Sequence, residues 1–230
     1  MSLDVSKDPR ILMVEYVVNK LTEMTINKRY KLPSSKEKTL VAINKLNSTI
    51  KNIKYSYIPP LDLINNTSVK EIDLMANQFW DAIIKNNDIN EQNLNILELK
   101  FIFNILKGFR ARLEFGNEVS IDKAIDIIAV KVISVSKLSK NENLYLCRVA
   151  DGEKIINIIT NLKNIKKNSV IPAAILPPRV FGQEISEAMF CSGNDIPALH
   201  DKVGERITNL SEDLLKEVNH FIIQMIKSLK

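Results

Sequence analysis

The stretch ILPPRVFGQEISEAMFCSG, residues 175–193, contains the side chains of this chain that are best suited to hold a ligand. The two prolines at 177–178 restrict the backbone and donate no hydrogen bond, so a turn there would hold Arg179 outward. A guanidinium held in this way can bind a phosphate through parallel hydrogen bonds. Gly182 permits close approach of a backbone or a ligand, and Ser186 supplies a small hydroxyl group. The stretch therefore predicts a surface that presents Arg179 and Ser186 to a partner carrying phosphates.

Structural roles are the alternative for parts of this region. Met189 offers either an apolar ligand contact or, with Phe190, ordinary strand core, and the two prolines also suit a loop without a ligand. Lysines near this stretch in the predicted fold are either phosphate ligands or solvated charges. They are Lys131, Lys137, Lys140, Lys163, Lys166 and Lys167.

A second basic segment covers residues 28–54, where eight basic residues accompany a single acid, Glu37. Positive charge beside Tyr30, Tyr55 and Tyr57 is what a surface that binds a polyanion needs. The alternative is a solvated helix face whose charge is balanced by acids from elsewhere in the fold. The basic residues are Lys28, Arg29, Lys31, Lys36, Lys38, Lys45, Lys51 and Lys54.

Composition and motifs argue against several classes of function. The chain has 230 residues, 45% of them hydrophobic and 26% charged, as in ordinary soluble proteins. No apolar run reaches the ~18 residues of a membrane span, and the first residues do not resemble a signal peptide, so we expect a cytoplasmic protein without a membrane partner. Cys147 and Cys191 fit no metal spacing, and His200 and His220 are the only histidines. With no phosphate-binding glycine loop and no catalytic constellation, the sequence predicts no enzyme, no cofactor and no metal.

The first half of the chain has helical periodicity and predicts an all-α domain over residues 1–118. Ser68 and Glu71 have the spacing of a capping box, and a final helix is predicted over residues 90–113. Trp80, Phe101 and Phe103 are either a base-stacking platform or core residues. Their helical spacing beside leucine and isoleucine favours the core.

The periodicity changes to that of strands over residues 119–208, where β-branched segments alternate with turn signals such as Asp151-Gly152. Five short strands within about 80 residues predict a small Greek-key barrel. The predicted strands are residues 125–134, 143–150, 154–160, 168–176 and 186–191.

Residues 209–230 predict a C-terminal amphipathic helix, which completes a multi-domain α+β chain. Its apolar face, which includes Val218 and Ile222, docks on the helical half or forms a dimer interface. A membrane-surface helix is disfavoured because its polar face carries both acids and lysines.

The barrel region resembles the tRNA-binding domain of free-standing tRNA-binding proteins, which is also appended to methionyl- and phenylalanyl-tRNA synthetases. Several segments carry the resemblance in order, over about residues 120–208. They are Ile125-Asp-Ile127 with Lys131, Glu142-Asn-Leu-Tyr145, Val149-Ala-Asp-Gly-Glu153, Asn157-Ile-Ile-Thr-Asn-Leu162, Ser186-Glu-Ala-Met189 and Val203-Gly-Glu-Arg-Ile207. The resemblance implies an oligonucleotide-binding (OB) fold, usually dimeric, that grips tRNA by its shape and backbone.

The resemblance thus implies a non-catalytic tRNA-binding protein that acts in trans with an aminoacyl-tRNA synthetase, methionyl-tRNA synthetase first. The helical half would dock on that synthetase or provide a second RNA surface. The Pro-Pro-Arg, Gly and Ser-Glu pattern at 177–187 is also similar to CsaA, a chaperone-like branch of the same superfamily. Two alternatives therefore stay open, namely a CsaA-like module that binds peptides and an assembly scaffold.

Overall fold

The structure is a computed structural model that describes residues 5–89, 93–138 and 141–229. The chain divides into two compact units, one of Met1–Ala124 with Ile222–Lys230 and the other of Ile125–Phe221. They are called the helical unit and the barrel unit below. The division of the chain at residues 118 and 208 stays a prediction.

The helical unit confirms the predicted all-α N-terminal region. Four of its helices, α1, α2, α4 and α5, start at side chains that satisfy free backbone amides: for example, the Asp8 carboxylate accepts the Arg10 N–H at 2.9 Å, and Asn93 accepts the Asn95 N–H at 3.0 Å. The helices are α1 Pro9–Ile26, α2 Lys36–Lys54, α3 Pro60–Leu63, α4 Thr67–Asn86, α5 Leu94–Lys107 and α6 Phe109–Leu113.

The predicted capping box at Ser68 is wrong. The side chain of Asn66 accepts the Ser68 N–H at 2.8 Å, so that α4 begins two residues earlier than expected and Ser68 lies within its first turn. Glu71 is thereby free of a capping role, and its carboxylate lies 2.8 Å from Lys45 Nζ. Asparagine and serine both cap well, and the local spacing alone did not decide between them.

The helix predicted over residues 90–113 is broken at Gly108 into α5 and α6, and residues 90–92 lie outside the described residues. A Cβ at Gly108 would lie 2.6 Å from the guanidinium of Arg112. That guanidinium is buried and donates to the carbonyls of Asn104 and Ile105, which end α5. The break therefore accommodates an arginine that satisfies the last carbonyls of the preceding helix.

A buried ion pair lies at the start of α1, and its arginine also bonds to the backbone that follows α6. Arg10 and Asp8 are each 1% exposed, and two nitrogens of the guanidinium contact the two carboxylate oxygens at 2.9 and 2.6 Å. A further nitrogen of Arg10 donates to the carbonyl of Gly116 at 2.8 Å. Because both charges are paired and hydrogen-bonded, they act as structural groups.

The barrel unit contains the five predicted strands, all antiparallel, in the order β3-β2-β1-β4-β5. Alternate residues such as Val130, Val132 and Cys147 face a shared apolar core. The edge strands β3 and β5 contact each other, which closes the sheet into an OB-type barrel. The strands are β1 Ile127–Leu138, β2 Asn141–Ala150, β3 Ile155–Thr160, β4 Val170–Phe181 and β5 Glu184–Phe190.

Two predictions about the β4–β5 region need correction. Pro177 and Pro178 form no turn but lie within β4, in an irregular stretch where the pairing jumps from Ile175 to Arg179. Proline lacks an N–H and is tolerated where the ladder is already interrupted. The turn itself is formed at Gly182, whose φ of +67° suits glycine, and no atom lies within 4 Å of a Cβ placed there. Gly182 is therefore explained by its backbone conformation and not by a close approach.

The predicted C-terminal helix is confirmed as α7, Glu212–Lys227. Leu215, Val218 and Ile222 are buried along one face, as its periodicity requires. The surface on which this face docks stays a prediction. None of the described helices is long and apolar enough to cross a membrane.

Candidate nucleic-acid interface

The loop of residues 161–169, called the β3–β4 loop, carries three of the predicted phosphate ligands. Lys163, Lys166 and Lys167 are all exposed. The loop is fastened to β1 by two hydrogen bonds, from the Asn168 N–H to the Val132 carbonyl at 2.8 Å and from the Val132 N–H to the Ser169 carbonyl at 2.9 Å. Lys131, which precedes Val132 in β1, is also exposed. The fold thus brings Lys131 to the loop that carries the other three lysines.

An open polar pocket of about 410 Å³ lies beside this loop. Its cationic residues are Lys163 and Lys166, and the carboxylate of Asp195 lines the other part. Asp195 accepts the Val170 N–H at 2.6 Å and contacts His200 Nε2 at 2.9 Å, and these two contacts lower the pKa of its carboxyl group. The lining residues are Lys163, Asn164, Lys166, Ser169, Asn194 and Asp195, so that Lys167 does not line the pocket.

Arg179 lies at the other end of β4 from the β3–β4 loop. Val170, the first residue of β4, pairs with Lys131, whereas Arg179 pairs with Ser186 beyond the proline pair. The Arg179 side chain is exposed, and its guanidinium carbon lies 4.5 Å from the ring centroid of Phe221 in α7. Stacking on a ring orients a guanidinium by a cation–π contact, while its in-plane N–H groups can still donate.

The structure places the other predicted barrel residues in different surroundings. Ser186 is 7% exposed, and its hydroxyl accepts the Ile159 N–H at 2.9 Å and donates to the Ala188 carbonyl at 3.0 Å. Met189 is half-buried and pairs with Ala174. Lys137 is exposed near the end of β1, and Lys140 lies outside the described residues. Contacts of these residues with RNA stay predictions.

Acids from elsewhere in the helical unit pair with three of the eight basic residues at 28–54. Each of these ion pairs is between 2.6 and 2.8 Å long: Arg29 with Glu98, Lys45 with Glu71, and Lys54 with Glu15. Lys36 donates to the Ile26 carbonyl at the end of α1.

The remaining four basic residues of this segment are exposed and form no ion pair within the part of the chain that the structure describes. They are Lys28, Lys31, Lys38 and Lys51. Among the neighbouring tyrosines, Tyr30 is buried and hydrogen-bonded to Thr25, whereas Tyr55 and Tyr57 are 60% and 63% exposed. Both interpretations of the segment's charge therefore apply in part: acids balance some of its basic residues, and others are exposed and available to a polyanion.

The groups with potential for covalent or metal chemistry are few. Burial raises the pKa of the Cys147 thiol to about 11 and that of the Cys191 thiol to about 12, so both stay protonated at neutral pH. Within residues 5–89, 93–138 and 141–229, no three His, Cys, Asp or Glu side chains are grouped so that they could hold a metal ion.

Sequence reasoning missed Phe221 and the pocket residues Asn164, Asn194 and Asp195. The spacing of Phe221 in α7 is that of the apolar stripe, and nothing in it signals a stacked arginine in β4. Asp195 follows Gly193-Asn194, a turn composition, which is the only local signal for a side chain that bonds to a backbone.

The fold and the basic β3–β4 loop define a class: a helical domain followed by an OB-type barrel suited to nucleic acids. Residues 1–116 match the model of a family described as "Alpha helical domain", and residues 127–214 match that of the "Putative tRNA binding domain". The chain therefore belongs to the alpha helical domain family, whose model covers half of it, and carries a tRNA-binding domain in its second half. This confirms the predicted resemblance. Neither match extends beyond residue 214, and no curated protein matches the chain.

Proposed function

We propose that this protein is a non-catalytic tRNA-binding protein that acts in trans with an aminoacyl-tRNA synthetase. Methionyl-tRNA synthetase is the first candidate for this partner. The observation that carries the proposal is the match of residues 127–214 to the tRNA-binding domain, over a closed barrel with a basic loop. The matched domain is a binding module, which supports a role in holding tRNA and not in catalysis.

The barrel would grip tRNA through its phosphates. Lys131, Lys163, Lys166 and Lys167 are exposed at one edge, where each can neutralise a phosphate and release its counterions. Such contacts fix orientation without reading base sequence, in agreement with recognition by shape and backbone. Arg179, stacked on Phe221, would add a directed phosphate contact at the other end of β4.

The helical unit would serve as the docking module for the synthetase or as a second RNA surface. Its separate match to a helical domain family marks it as a module distinct from the barrel, as a docking role requires. The unpaired lysines at 28, 31, 38 and 51, with the exposed rings of Tyr55 and Tyr57, support the second, because cations and aromatic rings together suit single-stranded RNA. A homodimer and a cytoplasmic location complete the proposal, both on the strength of the family resemblance and the sequence.

Binding of total tRNA to the full-length protein across a salt series tests the tRNA function. We expect the logarithm of the binding constant to fall linearly with the logarithm of salt concentration, with a slope corresponding to several phosphates. Arg179→Ala should weaken binding and reduce the slope, whereas Arg179→Lys should retain the slope and lose part of the affinity. No binding above nonspecific background at physiological salt would exclude this function and favour the peptide-binding or scaffold alternatives.

The synthetase partner is tested separately by analytical ultracentrifugation of the protein with purified methionyl-tRNA synthetase, without RNA. A complex that forms with the full-length protein would support docking through protein surfaces. Sedimentation of the two as separate species would remove the synthetase from the proposal and leave tRNA binding untouched. The same runs on the protein alone report whether it is a dimer.

A further inference from the structure

The polar pocket beside the β3–β4 loop has the size of a small ligand and not of the extended surface of a tRNA. We propose that it binds a single nucleotide unit of RNA, with the phosphate on Lys163 and Lys166 and the sugar or base on Asp195 and the two asparagines. The inference rests on the proposed function, which it extends by naming a subsite of the barrel.

The dimensions of the pocket agree with a ligand of this size. Its volume is about 410 Å³, whereas small-molecule pockets span ~300–1,000 Å³. A duplex backbone passing over the barrel would need a groove and not a pocket, because its bases are stacked inside the helix. The pocket therefore favours a nucleotide with an accessible base, as in a loop or a chain end.

The charges that line the pocket favour a nucleotide over a simple anion. Lys163 and Lys166 supply positive charge for a phosphate, but the Asp195 carboxylate faces the same space. That carboxylate accepts the Val170 N–H and contacts His200 Nε2, and both contacts lower its pKa. Asp195 therefore repels a bare phosphate and accepts a hydrogen bond from a ribose hydroxyl or an exocyclic amino group.

Uncharged lining groups add hydrogen-bonding capacity. Asn164 and Asn194 each carry an amide that can donate and accept, which is the combination needed to bond the edge of a base. Ser169, the last residue of the β3–β4 loop, is 8% exposed and also lines the pocket. A ligand with one anionic end and one end of mixed donors and acceptors matches this arrangement.

The walls of the pocket are anchored to strands before any ligand arrives. The wall formed by Asn194 and Asp195 is tied to β4 twice: the Val170 N–H donates to the Asp195 carboxylate, and the Ile196 N–H donates to the Val170 carbonyl at 3.0 Å. The wall formed by the β3–β4 loop is tied to Val132 of β1 through the N–H of Asn168 and the carbonyl of Ser169. Such preorganisation lowers the ordering cost of binding a small ligand.

Titration of the full-length protein with adenosine 5′-monophosphate, followed by NMR shifts of the pocket amides, tests this inference. We expect saturable shifts, with affinity reduced about tenfold by Lys166→Ala or Lys163→Ala, since each removes a charged phosphate contact. Lys154→Ala is the matched control, because Lys154 is an exposed lysine of the β2–β3 turn that does not line the pocket, and the affinity of this variant should stay within twofold of the parent's. Two separate lysine variants keep the test decisive if one fails to fold.

Inorganic phosphate provides the second probe and should bind at least tenfold more weakly than the nucleotide. Absence of saturable shifts, equal binding of phosphate and nucleotide, or an equal loss of affinity in Lys154→Ala would each overturn the nucleotide subsite. Total tRNA titrated into the same protein keeps the two proposals apart. If tRNA binds but the nucleotide does not, the nucleotide subsite is wrong and the tRNA function stands. If the nucleotide binds but tRNA does not, the pocket is a nucleotide site and the tRNA function is wrong.

Discussion

Arg179 is a basic residue of the barrel unit whose side chain stacks on an aromatic ring. The two prolines before it form no turn, and the side chain is oriented instead by the ring of Phe221, 4.5 Å from the guanidinium carbon. A stacked arginine has lost much of its rotamer freedom and needs less ordering when it binds a phosphate. Phe221 is thus a positioning residue for Arg179 within the proposed RNA surface.

Phe221→Leu removes the ring and keeps an apolar side chain. We expect tRNA affinity to fall two- to fivefold, corresponding to the ~0.5–1 kcal/mol of an exposed cation–π contact. In an Arg179→Ala background the same change should have no further effect on affinity. A double-mutant cycle of tRNA binding measures this coupling, and independent, additive effects of the two substitutions would show that Phe221 does not act through Arg179.

Asp195, which lines the pocket, should make the stability of the fold depend on pH in the acid range. Its pKa lies below the ordinary value of 3.8, mainly because its carboxylate accepts the Val170 N–H. A carboxyl group whose pKa is lowered by folding stabilises the fold above its unfolded pKa and loses this contribution as the pH falls through the folded pKa. Urea midpoints of the parent should therefore fall in the region below pH 3.8 by more than those of Asp195→Asn, which does not titrate. Parallel curves for both proteins across that region would contradict the assignment.

At the scale of elements, closure of the barrel depends on the junction of β3 and β5. The Ser186 hydroxyl accepts the edge N–H of Ile159 and donates to the Ala188 carbonyl, both inside the barrel. Edge strands that leave N–H groups unpaired are exposed to water or to other chains, and here a side chain satisfies one of them. Ser186 therefore has a structural role whether or not it also contacts RNA.

Ser186→Ala leaves the Ile159 N–H without a partner in a buried position. We expect the free energy of unfolding to fall by ~1–3 kcal/mol, as measured by urea denaturation. Ser136→Ala is the control, because Ser136 is exposed on β1 and its hydroxyl reaches the Leu146 carbonyl only at 3.4 Å. Equal stabilities of the two variants would show that the junction of β3 and β5 does not need this hydroxyl.

Gly204 lies where the segment after the barrel passes the β2–β3 turn. Its N–H donates to the Ala129 carbonyl at 2.8 Å, its φ is +89°, and a Cβ there would lie 2.1 Å from the Asp151 carbonyl oxygen. The overlap is with backbone and not with a flexible side chain, so no rotamer change relieves it.

Gly204→Ala should therefore lower the thermal midpoint far more than Gly182→Ala does. Both glycines have positive φ, which costs an alanine ~1 kcal/mol, but a Cβ at Gly182 meets no atom within 4 Å. We expect at least ~2–3 kcal/mol for Gly204→Ala, because overlap adds to strain. Calorimetry of the two variants gives the comparison, and similar midpoints would mean that the segment moves away from Asp151 at little cost.

At the scale of the whole molecule, the helical unit and the barrel unit each carry exposed positive charge. Among the residues that the structure describes, acids pair with Arg29, Lys45 and Lys54 of the helical unit, whereas Lys28, Lys31, Lys38 and Lys51 form no ion pair. Paired charges contribute to stability, most of all Lys54 and Glu15, whose side chains are each 15% exposed. Unpaired ones are available to a polyanion at little cost to the fold.

Replacing Lys28, Lys31, Lys38 and Lys51 by glutamine separates the two roles proposed for the helical unit. If these lysines contact RNA, the salt slope of tRNA binding should fall by about 3, at ~0.7–0.9 per lost phosphate contact. Stability should stay within ~0.5 kcal/mol. As a control, Lys54→Gln should leave the slope unchanged and lower stability by ~1 kcal/mol. An unchanged slope in the fourfold variant would confine RNA contacts to the barrel.

The sequence by itself determined the elements and their class, because a helix or strand with one buried face must repeat its apolar residues at its own period. Val130 and Val132 in β1 have the two-residue spacing of a strand, and Val218 and Ile222 in α7 have the four-residue spacing of a helix. The ordered segments from Ile125 to Ile207 also identified the tRNA-binding domain, which the family match confirms. Helix boundaries were less certain, since Asn66 and Ser68 compete as caps within three residues.

Only the tertiary structure decided which side chains meet. The stacking of Phe221 on Arg179, the bond from Ile159 to Ser186 and the pocket between Lys166 and Asp195 each join segments that are distant in sequence. The pairing of Lys54 with Glu15 likewise cannot be read from a local charge count. Local periodicity reports which face of an element is buried, whereas these contacts depend on the packing of whole elements against one another, which brings their side chains within ångströms.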